Sequence, residues 1–153
     1  LWVAGGKDHG WISLDGIVFK PGKGGDPLAL HNNWVNYRDD YREARVARID
    51  DLCIVSGLIK SGNWGSLAVL PEECRPAGRL IFNLNNHEST ARVDVKANGE
   101  ILWVKGGKNH GWISLTGIVF RPGKDGEPLL LLNNWQNYGG DYRPAAVSNV
   151  RLR

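Results

Sequence analysis

Arg92-Val93-Asp94-Val95-Lys96-Ala97 alternates polar and apolar side chains, Asn98-Gly99 follows, and Glu100-Ile101-Leu102-Trp103-Val104 opens a second apolar run. An alternation of period two places one set of side chains on each face of a strand. Asn-Gly between two such runs supplies two residues that tolerate positive φ, which a tight two-residue turn requires. The stretch predicts an antiparallel hairpin, and with it a β fold.

Working outward, Cys53 to Ile59, Ser66 to Leu70, Arg79 to Leu84 and Ala91 to Lys96 read as further strands, with Gly-, Pro- and Asn-rich turn clusters between them. Trp11 to Phe19 and Trp112 to Phe120 alternate across Gly16 and Gly117, which predicts a strand with a bulge or a close backbone approach in each. The segments Pro21 to Pro27 and Pro122 to Pro128 read as exposed connectors. No window carries a capped helical period. The expected fold class is all-β, an antiparallel sandwich or barrel-like set of sheets, completed by strands from neighbouring subunits.

The strand after Asn98-Gly99 also opens a repeat. Leu1-Trp2-Val3 returns as Leu102-Trp103-Val104, and the match runs without gaps through Gly10-Trp11-Ile12-Ser13-Leu14, Trp34 and Tyr41-Arg42, with 33 of 52 aligned positions identical at a spacing of 101 residues. Residues 53–101 occur once. The chain therefore reads as half-repeat B (1–52), half-repeat A (53–101) and B again (102–153). The hairpin joins A to the second B, so Leu1, Trp2 and Val3 have no preceding A half, and Val147, Val150 and Leu152 have no following one. Apolar strand edges without partners invite pairing with another chain, and contacts that do not close produce filaments. The same phase is also consistent with a piece of a longer tandem protein, or with a closed monomer of two similar halves.

Composition bounds the rest. Among 153 residues, 42% are hydrophobic and 23% charged, which is a globular balance. The net charge of +3 is spread among alternating signs and gives no concentrated basic face for nucleic acid. The longest apolar run, Leu129 to Leu132, is far short of a membrane span, and no signal-like segment opens the chain. No Asn-X-Ser/Thr sequon occurs.

Few residues invite chemistry. Cys53 and Cys74 stand 21 positions apart in half A and read as either a disulfide or two buried thiols. No CxxC or HxxxH spacing suggests zinc, and no cofactor motif is present. His9 and His110 recur within Gly-Gly-Lys-Asp/Asn-His-Gly-Trp but lack a recognisable nucleophile and acid, so the loop reads as structural and the chain as non-enzymatic. The pair Asp50-Asp51 becomes Arg151-Leu152 in the second copy, which weakens a shared calcium or glycosidase role. Trp34, Tyr37, Trp135 and Tyr138, beside Asn, Asp and Arg, are of the kind that stack on sugar rings, and Trp64 sits in a Gly-rich turn. The same residue types also favour cores and interfaces, which is the preferred reading for the aromatics of half B.

Trp-x-Asn-Tyr-x-x-x-Tyr-Arg, Leu52 to Lys60, Leu70-Pro71-x-x-Cys74-Arg75-Pro76 and Gly-Trp-Ile-Ser-Leu-x-Gly-Ile-Val-Phe together resemble β modules of phage tail-fibre and other surface-fibre proteins. The likeness spans nearly all of one repeat. It departs at Cys74, where an aromatic is expected before Arg-Pro, and the pairing of Cys74 with Cys53 suits an oxidising exterior. The resemblance implies an extracellular or virion-surface, multimeric β protein without enzymatic activity. The expected role is a structural subunit that assembles head-to-tail with identical subunits by strand pairing; the alternative is a lectin-like adhesion module with a glycan partner.

Overall fold

The computed structural model describes residues 1–123 and 126–151. Among the described residues the chain is all-β with one short 3₁₀ turn at Glu72–Cys74. β1 (Asp26–Pro27), β4 (Arg45–Ile49), β5 (Leu52–Ser56) and β12 (Ile118–Phe120) form one antiparallel sheet, in the order β1-β4-β5-β12. A second sheet has the order β2-β7-β10-β9-β8, from β2 (Ala29–Leu30), β7 (Ser66–Val69), β8 (Leu80–Asn86), β9 (Ser89–Val95) and β10 (Glu100–Gly106). β11 (Trp112–Ser114), β6 (Leu58–Lys60) and β3 (Val35–Asn36) form a third, in the order β11-β6-β3. A final pair, β13 (Glu127–Pro128) and β14 (Ala146–Val147), stands apart.

The hairpin lies where the sequence places it. The Gly99 amide donates to the Lys96 carbonyl at 2.8 Å, the Lys96 amide to the Glu100 carbonyl at 2.9 Å, and β9 runs against β10 from Val95↔Ile101 onward. The predicted strand Cys53–Ile59 is divided at Gly57, whose φ of +122° and closeness to the Glu43 carbonyl leave no room for a Cβ. β5 and β6 are thus one strand that turns a corner between two sheets. Its neighbours turn with it: β4 and β12 pair with β5, while β3 and β11 pair with β6. The core between the sheets is built from Val46, Val55, Ile59, Leu67, Val93 and Ile101, joined by Ile113, Leu115 and Ile118.

The two copies of half B do not adopt the same structural role. In the second copy, Trp112 to Phe120 supplies β11 and β12, separated by a turn before Gly117. In the first copy, the strand expected over Trp11 to Phe19 does not form, and neither does one at Leu1 to Val3. The reason is the absence of a pairing edge. Half A offers the edges of β5, β6, β7 and β9, and residues 102–120 already occupy them. Beyond the core the asymmetry reverses: residues 26–49 pack into the sheets, and residues 126–151 form the separate pair β13-β14 and a single bridge, Tyr142 to Arg79.

Candidate functional site

Residues 126–151 lie outside the core but keep the local fold of residues 26–49. The Leu28 amide donates to the Ala44 carbonyl at 3.0 Å, and the Leu129 amide to the Ala145 carbonyl at 2.9 Å. The Asn36 side-chain oxygen accepts from the Ala44 amide at 2.7 Å, and that of Asn137 from the Ala145 amide at 2.8 Å. Tyr37 meets Tyr41 edge-on at 5.1 Å, and Tyr138 meets Tyr142 edge-on at 5.1 Å. Asn32-Asn33 and Asn133-Asn134 all take positive φ. The C-terminal half-unit is therefore preformed, and the inner face that the first copy buries is bare. Leu129 and Trp135 are exposed where Leu28 and Trp34 are buried.

The N-terminal segment presents the converse. Ile12 is 66% exposed and Ile113 fully buried; Leu14 is 70% exposed and Leu115 fully buried. Each end thus displays an apolar surface whose proper cover is known from the other copy. Of the predicted assembly edges, Leu1, Trp2 and Val3 are exposed, Val147 is exposed within β14, Val150 is half-buried, and Leu152 lies outside the described residues.

A polar joint holds residues 126–151 against half A. The Arg79 amide donates to the Asp141 carbonyl at 2.7 Å, and the Arg143 amide to the Arg79 carbonyl at 3.0 Å. Beneath them the fully buried Asp94 carboxylate accepts from Arg79 Nε at 2.6 Å and from Arg92 Nε at 2.9 Å. Arg92 also donates to the Tyr142 hydroxyl at 3.0 Å. Burial on its own raises the pKa of Asp94, but hydrogen bonds and charge from Arg92 and Arg79 outweigh it and hold the carboxyl below its ordinary value. The hydrogen bond to Asp94 raises Arg92.

The aromatic candidates separate into three groups. Trp34 is in the core, its indole N–H donating to the Asn63 carbonyl at 2.9 Å and its ring edge-on to Trp64 at 5.0 Å. Gly62 leaves the space for it, since a Cβ there would lie 2.1 Å from the ring. Trp64 continues the stack to Trp103 at 5.4 Å, so neither Trp34 nor Trp64 presents a free face. Trp135 and Tyr138 lie exposed on the bare half-unit. Tyr37 lines a cleft of about 480 Å³ together with Tyr41, Arg42, Asn85, His87 and Trp112. Tyr41 belongs to the same sequence motif as Tyr37, whereas Trp112, on β11, joins them only through the fold.

Cys53 and Cys74 are joined as a disulfide that ties β5 to the 3₁₀ turn. One further cluster escaped sequence reasoning. His87 and Glu88, at the β8-β9 turn, meet His110 from the loop after β10, and their ligand-capable atoms lie within 4.8 Å of one another. Among the described residues no helix is long and apolar enough to cross a membrane.

These sheets define an antiparallel β module. Its structure is similar to that of the receptor binding protein gp15 of Listeria phage PSA, with a TM-score of 0.53 and 21% identity, covering 65% of this chain and 64% of that one. The chain thus matches somewhat less than two thirds of that protein's length. The resemblance to phage surface-fibre modules holds for the fold. No protein-family model and no curated protein matches the sequence.

Proposed function

We propose that this chain is a structural module of an extracellular fibre or virion-surface appendage, joined to its neighbours through its two terminal half-units. The observation that carries the reading is the pair of bare apolar faces, each identical in pattern to a face buried elsewhere in the same chain. The partner that fits residues 126–151 is a half A with edges like those of β5, β6 and β7; the partner that fits residues 1–19 is one with edges like those of β5, β6, β7 and β9. A second copy supplies either by exchanging its own half B for the incoming one. Such an exchange replaces contacts with nearly identical contacts, so its net cost is small. The fold shared with a phage receptor binding protein supports a virion-surface setting, and nothing in the reading calls for enzymatic activity.

Sedimentation of the full chain over a range of concentrations tests this. The weight-average mass rises with concentration, and either Ile12→Asp with Leu14→Asp or Leu129→Asp with Trp135→Ala suppresses the rise. A single monomeric species at the highest concentration ends the proposal.

A second reading rests on the cleft. Tyr37, Tyr41 and Trp112 supply aromatic faces, and Arg42 and Asn85 supply polar groups, the combination that holds sugar rings in place. A glycan array returning no ligand, or a ligand whose affinity survives Tyr37→Ala, removes it. Both roles suit an appendage that also touches a surface.

A further inference from the structure

We propose that His87, Glu88 and His110 form a binding site for a transition-metal dication, with zinc the best fit. The ligand set comes first. Two imidazoles and one carboxylate match the nitrogen and oxygen donors that zinc accepts, and a water molecule completes four-coordination. Neither calcium nor magnesium, which take several oxygen ligands, finds them here.

The geometry is close to what such an ion requires. Donor atoms around tetrahedral zinc lie about 3.4 Å apart, given metal–ligand distances of about 2.0–2.2 Å. His110 Nε2 is 3.2 Å and 3.4 Å from the two Glu88 oxygens, and His87 Nδ1 contacts the same carboxylate. All three donor atoms fall within 4.8 Å of one another. The side chains are only partly exposed, which leaves them room to turn inward by a fraction of an ångström and leaves one side open to water.

The backbone beneath them is fixed. Asn86, fully buried between His87 and the strand, accepts from the His110 amide at 3.3 Å and donates to the His110 carbonyl at 3.2 Å and to the Trp112 carbonyl. Asn85 caps the turn, donating to the His87 carbonyl at 2.6 Å and accepting from the His87 amide at 3.1 Å. His87 itself holds a φ of +61°, which points its ring across the turn and toward the His110 loop. A hairpin tip and a distant loop are thus clamped by a buried amide, with the three donors above the clamp. Such preorganisation lowers the ordering cost of binding.

An ion pair alone explains the cluster less well. The two imidazole rings are 4.8 Å apart and converge on one carboxylate from two separate segments. A dication takes both lone pairs and the carboxylate together. His9, the counterpart of His110 in the first copy, stacks on Trp11 at 6.0 Å and does not join the His87–Glu88–His110 cluster. The expected stoichiometry is therefore one ion per chain.

Isothermal titration of the full, disulfide-bonded chain with zinc chloride tests the site. Saturable binding of one ion per chain is expected, and His87→Ala, Glu88→Gln and His110→Ala each weaken it at least about tenfold, while His9→Ala leaves it unchanged. Far-UV circular dichroism confirms that the variants fold, and Glu88→Gln, the mildest change, keeps the test sound if a histidine variant does not. In parallel, the ring-proton NMR signals of His87 and His110 shift on adding zinc. The absence of saturable binding, affinity unaltered by His110→Ala or Glu88→Gln, or shifts confined to His9 and His31 overturns the proposal.

Discussion

Trp34 and Trp135 occupy the same position in two copies of one sequence, yet Trp34 is 4% exposed and Trp135 is 76% exposed. Their local backbones agree. The Trp34 amide donates to the His31 carbonyl at 2.9 Å, and the Trp135 amide to the Leu132 carbonyl at 3.0 Å. The difference lies entirely in what covers them: Trp34 has Gly62, Asn63 and Trp64 of half A against it.

This pair gives the first prediction. Trp34→Ala destabilises the fold by about 3–5 kcal/mol through lost burial and the cavity left behind. Trp135→Ala changes it by no more than about 0.5 kcal/mol, as exposed sites do. Urea denaturation of the two variants, at concentrations low enough to keep the chain monomeric, makes the comparison.

A parallel contrast holds at the other end. Ile113→Asp places an uncompensated charge among buried apolar side chains and abolishes cooperative melting. Ile12→Asp leaves the thermal midpoint of the monomer unchanged, since its side chain already meets solvent. Differential scanning calorimetry distinguishes them.

Asp94 makes the joint sensitive to acid. Its folded pKa lies below its unfolded value near 3.9, so its contribution is fully present above that pH and is lost as the pH falls through the folded pKa. Asp94→Asn removes the charge that Arg79 and Arg92 share and costs about 3 kcal/mol, in keeping with the breaking of a buried pair. The variant releases residues 126–151 from half A, so limited proteolysis cleaves within 121–126 faster than in the parent chain. It also flattens the acid limb of the stability profile below about pH 4.

The disulfide closes a separation of 21 residues, and its removal costs about 3 kcal/mol in the chain-entropy account. Chemical denaturation of the double variant Cys53→Ala/Cys74→Ala shows a lower midpoint than the oxidised chain. In the folded chain Arg48 ties β4 to the same 3₁₀ turn by donating to the Glu73 carbonyl.

Much of this architecture was legible in the chain. The Asn98-Gly99 turn, the alternation on either side of it and the strands of half A follow from backbone preference and periodicity, which act over a few residues. The candidate site was legible only in part. Tyr37 and Tyr41 were readable as neighbouring aromatics beside polar partners, but Asn85 and Trp112 reach the same cleft from two other segments. His87 and Glu88 lie 23 and 22 positions from His110, a spacing that matches no metal motif, and only the β8-β9 turn and the buried Asn86 bring them together.

By itself the sequence determined that the chain is β, that it carries one half-repeat twice around a single partner half, and that both ends present apolar segments. Tertiary structure decided which copy of each segment is covered. Residues 1–19 and 102–120 share 16 of 19 residues, but only the second set follows β9 through a tight turn and reaches open strand edges. A strand draws its stability from the partner beside it, so identical sequences take opposite fates when only one of them has an edge to join.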